Sequence, residues 1–318
     1  MGYFLEFASG SVVNLKTPIN EDMAANVSVA ANNGFISSNT GEQEDENVAV
    51  ELTKVNFVYT GVTDTTLIAG KMGVPTPWTV ASDSDGAEQT GTGLVAINSS
   101  TPVTLVGAYF NQTNFGKAFG KEGNSIAVVG AKTKIAGLSL EAFYADQIDA
   151  LDSYTVAADY SMDIDNINVG MGLRHTELEV EGATTDNELT QGYVKAKTGI
   201  FDAKVAYGQT GKDGGTVAFD ASANTAMEGW NTNLYKQADS SYLQLHAGAQ
   251  VIPTVNVALN WFETSDDSAT NTYDAEEIYT QITYKPSKNF YTYVRLGQLE
   301  KAGSDASDVV RVQVQYSF

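Results

Sequence analysis

The chain contains no cysteine, which excludes disulfides and thiolate metal sites but assigns no compartment. Histidine is nearly absent. His175 and His246 are the only two, far apart and without the HExxH spacing of a zinc protease or a nearby GxSxG nucleophile turn. Phosphate-cradling loops are missing as well, since "GKEGNS" (120–125) lacks the glycine spacing such a loop needs. Bases are few: 18 Lys and Arg stand against 39 acids, a net charge of −21, and neutralising phosphates needs the opposite balance, so nucleic acid is disfavoured as a partner. No run of about 18 apolar residues could form a membrane-spanning helix. The start, "MGYFLEFASG", has neither the basic nor the apolar region of a signal peptide, and reads as a mature form with an added Met or as a cytosolic chain. Proline is scarce at 6 while glycine reaches 29.

Helical periodicity is also lacking, and period-2 alternation recurs from end to end. Alternating segments bounded by Gly, Asn, Asp, Ser or Pro predict about eighteen strands, beginning with 2–8, 11–18 and 23–31 and ending with 289–298 and 308–318. Their connections alternate in length. "GVTD" (61–64), "NSST" (98–101), "GI" (199–200) and "KPSK" (285–288) are tight; 32–46, 74–91, 111–123, 145–152, 176–187, 210–239, 263–274 and 299–307 are longer. A sandwich has no reason to place its long loops on every second connection. An up-and-down transmembrane barrel has short turns at one rim and long loops at the other, so the expected fold is a single all-β, porin-like antiparallel barrel over residues 1–318.

The two faces of each segment agree with this. Val255, Val257, Leu259 and Trp261 alternate with Asn256, Ala258 and Asn260; Ile167, Val169, Met171 and Leu173 alternate with Asn168, Gly170, Gly172 and Arg174. One face is apolar and the other small or polar, as lipid outside and a wet lumen inside require, and closure removes strand edges that lipid would not tolerate. Tyr and Phe gather near strand ends, where amphipathic rings meet the membrane interfaces. Segment 47–60 breaks its alternation between Leu52 and Val55, which predicts a bulge near Thr53–Lys54. At the end, "DVVRVQVQYSF" (308–318) puts Val310, Val312, Val314, Tyr316 and Phe318 toward lipid, and Arg311, Gln313 and Gln315 toward the channel.

The functional reading is a general diffusion porin of the bacterial outer membrane. It passes ions and small hydrophilic solutes, does no covalent chemistry, requires no cofactor, and meets outer-membrane lipid or lipopolysaccharide. Alternatives from other classes are a barrel-borne hydrolase, which would need a Ser/His or Asp/His pair converging on one rim, and a surface adhesin or structural β-protein. Loop 74–91, "VPTPWTVASDSDGAEQTG", follows the fifth expected strand and carries Asp83, Asp85 and Glu88; it is expected either to fold into the lumen or to remain a surface loop. "DSDG" (83–86) looks like a fragment of a calcium loop without the remaining ligands, which leaves Asp83 and Asp85 as candidates for a calcium ion. The only three arginines, Arg174, Arg295 and Arg311, all fall on the expected lumen face with Lys71 and Glu141. Together with the loop acids they would set the field across the constriction. Acids crowded into the long loops would concentrate cations at the mouth.

Several stretches resemble the major outer membrane porin of Campylobacter-type (epsilonproteobacterial) bacteria. They are "VNFVYTGVTDTTLIAGK" (55–71), "GTGLVAINSSTPVTLVGAYF" (91–110), and "EEIYTQITYKPSKNFYTYVRLGQ" (276–298) followed by "VVRVQVQYSF". The resemblance implies an eighteen-stranded homotrimer, cation preference, and calcium associated with the constriction. It also implies that Tyr316 and the terminal Phe318 are read by the outer-membrane assembly machinery. The family's long first outward loop has no counterpart here, where the first connection is little more than "ASG" (8–10).

Overall fold

A computed structural model describes residues 6–37, 49–81, 88–115, 125–267 and 272–317. Among them the alternating segments form seventeen antiparallel strands and no helix: β1 (Glu6–Pro18), β2 (Met23–Ser37), β3 (Ala49–Val62), β4 (Thr65–Gly73), β5 (Thr90–Asn98), β6 (Val103–Thr113), β7 (Ile126–Ile135), β8 (Leu138–Gln147), β9 (Leu151–Ile164), β10 (Ile167–Val180), β11 (Asp186–Thr198), β12 (Phe201–Thr210), β13 (Ser240–Ile252), β14 (Val255–Asp266), β15 (Ala275–Tyr284), β16 (Phe290–Lys301) and β17 (Ser307–Tyr316). They make one sheet in which each strand pairs with its sequence neighbours.

The sequence set two strands where β1 now runs as one. "ASG" does not turn the chain; the register against β2 merely slips between Ala8 and Gly10. Seventeen strands are therefore described where about eighteen were expected, and loop 74–91 follows β4, not a fifth strand. The connection expected to be long at 145–152 is also short, because β8 and β9 extend until only 148–150 lie between them. The bulge is where the broken alternation placed it: Ser28 pairs with Lys54 and Val29 with Leu52, leaving Thr53 as the extra residue. At the opposite rim the turns are tight. Ala136 and Gly137, both at positive φ (48° and 86°), join β7 to β8 in two residues, and a two-residue hairpin of this hand matches strand twist.

The wall sorts its side chains by parity. Leu173 is 61 % exposed and Val314 64 %, and the same face carries Leu140, Val205 and Leu259. The alternate positions, such as Val95, Val128 and Tyr242, are buried. An apolar face that is the exposed face is the inverse of a water-soluble fold, and matches a wall surrounded by lipid. The sheet is curled on itself, since the connection after β4 hydrogen-bonds to the connection after β12: the Phe219 N–H donates to the Trp78 carbonyl (2.9 Å) and the Thr225 N–H to that of Pro77 (3.1 Å).

Candidate functional site

Among the described residues, two connections enter the interior, one packed on β4–β7 and the other on β11–β15. From the first, Val74 and Trp78 are fully buried among Met72, Val95, Phe110 and Val128 of β4–β7. The second, residues 211–239, packs Val217, Met227 and Leu234 against Leu189, Tyr242, Phe262 and Tyr279 of β11–β15. A side-chain bond reinforces the backbone contacts between them, with Gln89 Nε2 donating to Asp220 Oδ2 (2.8 Å). Ala218, Ala223 and Ala226 let the second connection lie close, with Tyr235 against them. Burial, and then the nearby Asp220 carboxylate, push the Tyr235 phenol up to about 12, so it stays neutral and acts as packing.

Glu277 anchors the second connection. It projects inward from β15, fully buried, and accepts from the backbone N–H groups of Trp230 (3.0 Å) and Asn231 (3.0 and 3.1 Å), from Asn231 Nδ2 (2.6 Å) and from the Thr232 hydroxyl (3.3 Å). These residues cap a narrow turn closed by bonds from Leu234 N to Met227 O (2.9 Å) and from Gly229 N to Thr232 O (2.7 Å). Charge-assisted bonds of this kind are about twice as strong as neutral ones. Beside the turn, the Arg295 guanidinium lies over Trp230 (5.5 Å), Tyr279 (5.2 Å) and Tyr293 (4.8 Å), and Nε donates to Gln281 (2.7 Å).

Between this connection and the β9–β13 wall lies a polar cavity of about 400 Å³. Asp159, Arg174 and Lys204 line it from the wall and Asn224 and Glu228 from the connection. Fixed dipoles also face it: Tyr193 donates to Asp159 (2.6 Å), and Gln191 and Gln244 bond the carbonyls of Asn224 (2.9 Å) and Glu228 (2.8 Å).

The residues singled out from sequence are divided among several places. Glu141 bridges Lys132 (2.7 Å) and Arg174 (2.9 Å), and Arg174 also donates to Thr155 (3.2 Å). Arg295 stands directly opposite Arg311 in the β16–β17 register. Glu88 is buried in an ion pair with Lys54 (3.0 Å). Lys71 is a correction: it alternates with the buried Met72 and pairs with the exposed Val55, so it is on the outer face, where its ammonium bonds the Leu52 carbonyl beside the bulge (3.1 Å). Tyr316 is exposed on the lipid face. Asp83, Asp85 and Phe318 lie outside the described residues. His246 faces inward between Asp202 and Asn260 (both 2.8 Å), whereas His175 is on the outer face. What sequence reasoning missed is the inward course of 211–239 and its attachment to Glu277. The signal was there: it is the longest connection, and it carries Val217, Phe219, Met227, Trp230 and Leu234, which a solvent-exposed loop has no use for.

No family model and no curated protein matches this sequence. Among solved structures, the chain is similar to Pseudomonas aeruginosa OccK5 (OpdH), with a TM-score of 0.80 at 15% identity over 98% of this chain and 91% of that one. It is also similar to P. aeruginosa OpdK with vanillate (TM-score 0.78, 13% identity, 98% and 92% covered) and to Acinetobacter baumannii OccAB3 (TM-score 0.77, 14% identity, 98% and 92% covered). At such identities the likeness is one of fold: a porin-like β-barrel.

Proposed function

We propose that this protein is a passive channel of the bacterial outer membrane, not an enzyme, that passes ions and small hydrophilic solutes and prefers cations. The observation that carries the reading is a lipid-suited wall whose interior holds a polar cavity, with Asp159, Arg174 and Lys204 on the wall and Glu228 on the inward connection. The cation preference rests on the rim with the long connections, where Asp149, Glu179, Glu181, Asp213, Asp267 and Asp305 are among the acids and bases are few. Such a field raises the local cation concentration. Kinship with the Campylobacter-type porins, a homotrimer, and calcium at Asp83 and Asp85 belong to the same proposal.

Reversal potentials across a salt gradient test the preference. They are expected to have the sign of cation selectivity, and to weaken as ionic strength rises and the Debye length falls from about 10 Å at 0.1 M to about 3 Å at 1 M. A second reading has its own support. Lys195 faces Lys204 and Arg295 faces Arg311 directly across strands, and like charges so placed are unfavourable unless an anion lies between them. The vanillate of the OpdK structure is such an anion. Anion-selective reversal potentials would overturn the cation preference in favour of this second reading.

A further inference from the structure

The outer wall carries a group of ligating side chains that a channel does not need. Where β8 to β11 approach the long-connection rim, the register sets outward-facing residues in two rungs. The lower is Tyr144, Tyr154, Glu177 and Glu188, and the upper is Asp146, Asp152, Glu179 and Asp186. Six acids thus stand side by side with no lysine or arginine in either rung, although acids directly opposite one another destabilise a sheet. The rung below holds Ala142, Val156, His175 and Thr190. His175, Glu177 and Glu188 bring ligand atoms within 4.8 Å of one another. Thr190 Oγ1 holds His175 Nδ1 (2.8 Å), leaving Nε2 toward Glu177 (3.0 Å). The outer partner fixes the ring and aims the other nitrogen, as partners of metal-binding histidines do.

The second observation lies directly beneath. A groove of about 530 Å³ in the lipid-facing surface is lined by Leu140, Ala142, Val156, Ala158 and Leu173 and reaches His175. It exists because Ala142 and Ala158 are small among bulky neighbours. An apolar channel in the hydrocarbon zone ending at a metal-ligating group in the headgroup zone has the layout of a bound lipid: chain below, headgroup above. The acids would repel an anionic headgroup on their own, whereas a divalent ion cancels the charge of Glu177 and Glu188 and offers the phosphate a ligand position.

We propose that His175, Glu177 and Glu188 hold a divalent cation on the outer wall, and that this ion carries the phosphate of an anionic outer-leaflet lipid whose acyl chain lies in the groove. One imidazole and two carboxylates suit a zinc- or manganese-class ion, and three protein ligands leave it an open position for a phosphate oxygen. This site rests on the lipid-facing outer wall of the proposed membrane barrel and not on the selectivity proposed above.

The test uses the full chain folded in a non-ionic detergent. Titration with zinc chloride is expected to show one ion per barrel, with affinity lowered about tenfold or more in His175→Ala and in Glu177→Gln/Glu188→Gln. All three side chains are on the outer surface, and unchanged heat-modifiable migration checks folding. Native mass spectrometry with phosphatidic acid should then show one retained lipid, lost on EDTA and in Ala158→Trp, which fills the groove. Absence of zinc binding overturns the site. Lipid retention indifferent to EDTA, or inorganic phosphate displacing the lipid at equal concentration, overturns the lipid assignment. An oligomer that buries this face would overturn it as well.

Discussion

Glu277→Leu is expected to release the interior connection and enlarge the single-channel conductance, with added current noise as residues 227–234 lose their fixed position. The side chain is fully buried and is the acceptor for two backbone N–H groups, one amide and one hydroxyl. Leucine has similar bulk but no acceptor, so these donors would stay buried without partners at about 1–3 kcal/mol each. The turn would therefore leave the wall. Because Arg295 is stacked on Trp230 of that turn, it too would gain freedom, and ion selectivity should shift together with conductance. Glu277→Gln keeps one acceptor oxygen and should fall between the two. The check is bilayer recording of the three proteins side by side; equal conductance and noise in all of them would show that Glu277 does not position the passage.

Trp78→Ala is expected to cost the folded barrel about 3–5 kcal/mol, the usual penalty for deleting a buried tryptophan. Trp78 has no exposure and fills the space between Val74 and the inward faces of β4–β7. Its loss leaves a cavity that the paired strands cannot collapse to fill. The backbone bond from Phe219 to the Trp78 carbonyl ties the second connection to this point, so the conductance should rise as well. Urea titration of the folded fraction measures the first effect. A change within about 0.5 kcal/mol, the range of an exposed site, would contradict the packing described.

Much of this was legible in the sequence, for a physical reason. A membrane wall must keep strict alternation, so Val310, Val312 and Val314 could be assigned to lipid and Arg311 and Gln313 to the interior from spacing alone. An extra residue shows as a break in phase, which placed the bulge at Thr53. The same rule explains two errors. At "ASG" the phase also breaks, but a bulge and a turn leave the same trace there. Lys71 was expected in the lumen because it alternates with the apolar Met72; the inward connection after β4 buries Met72 inside instead, which leaves Lys71 on the outer face, where its ammonium reaches a carbonyl. The interior was less legible because inward connections have no period. Glu277 has partners more than forty residues away in sequence, and only the fold brings them together.

The central claim is a passive passage through the barrel interior. Planar-bilayer recording of the refolded protein tests it most directly. The expected result is insertion in discrete, equal steps of current that scale with voltage. Folded, heat-modifiable barrels that insert and give no conductance steps would contradict it.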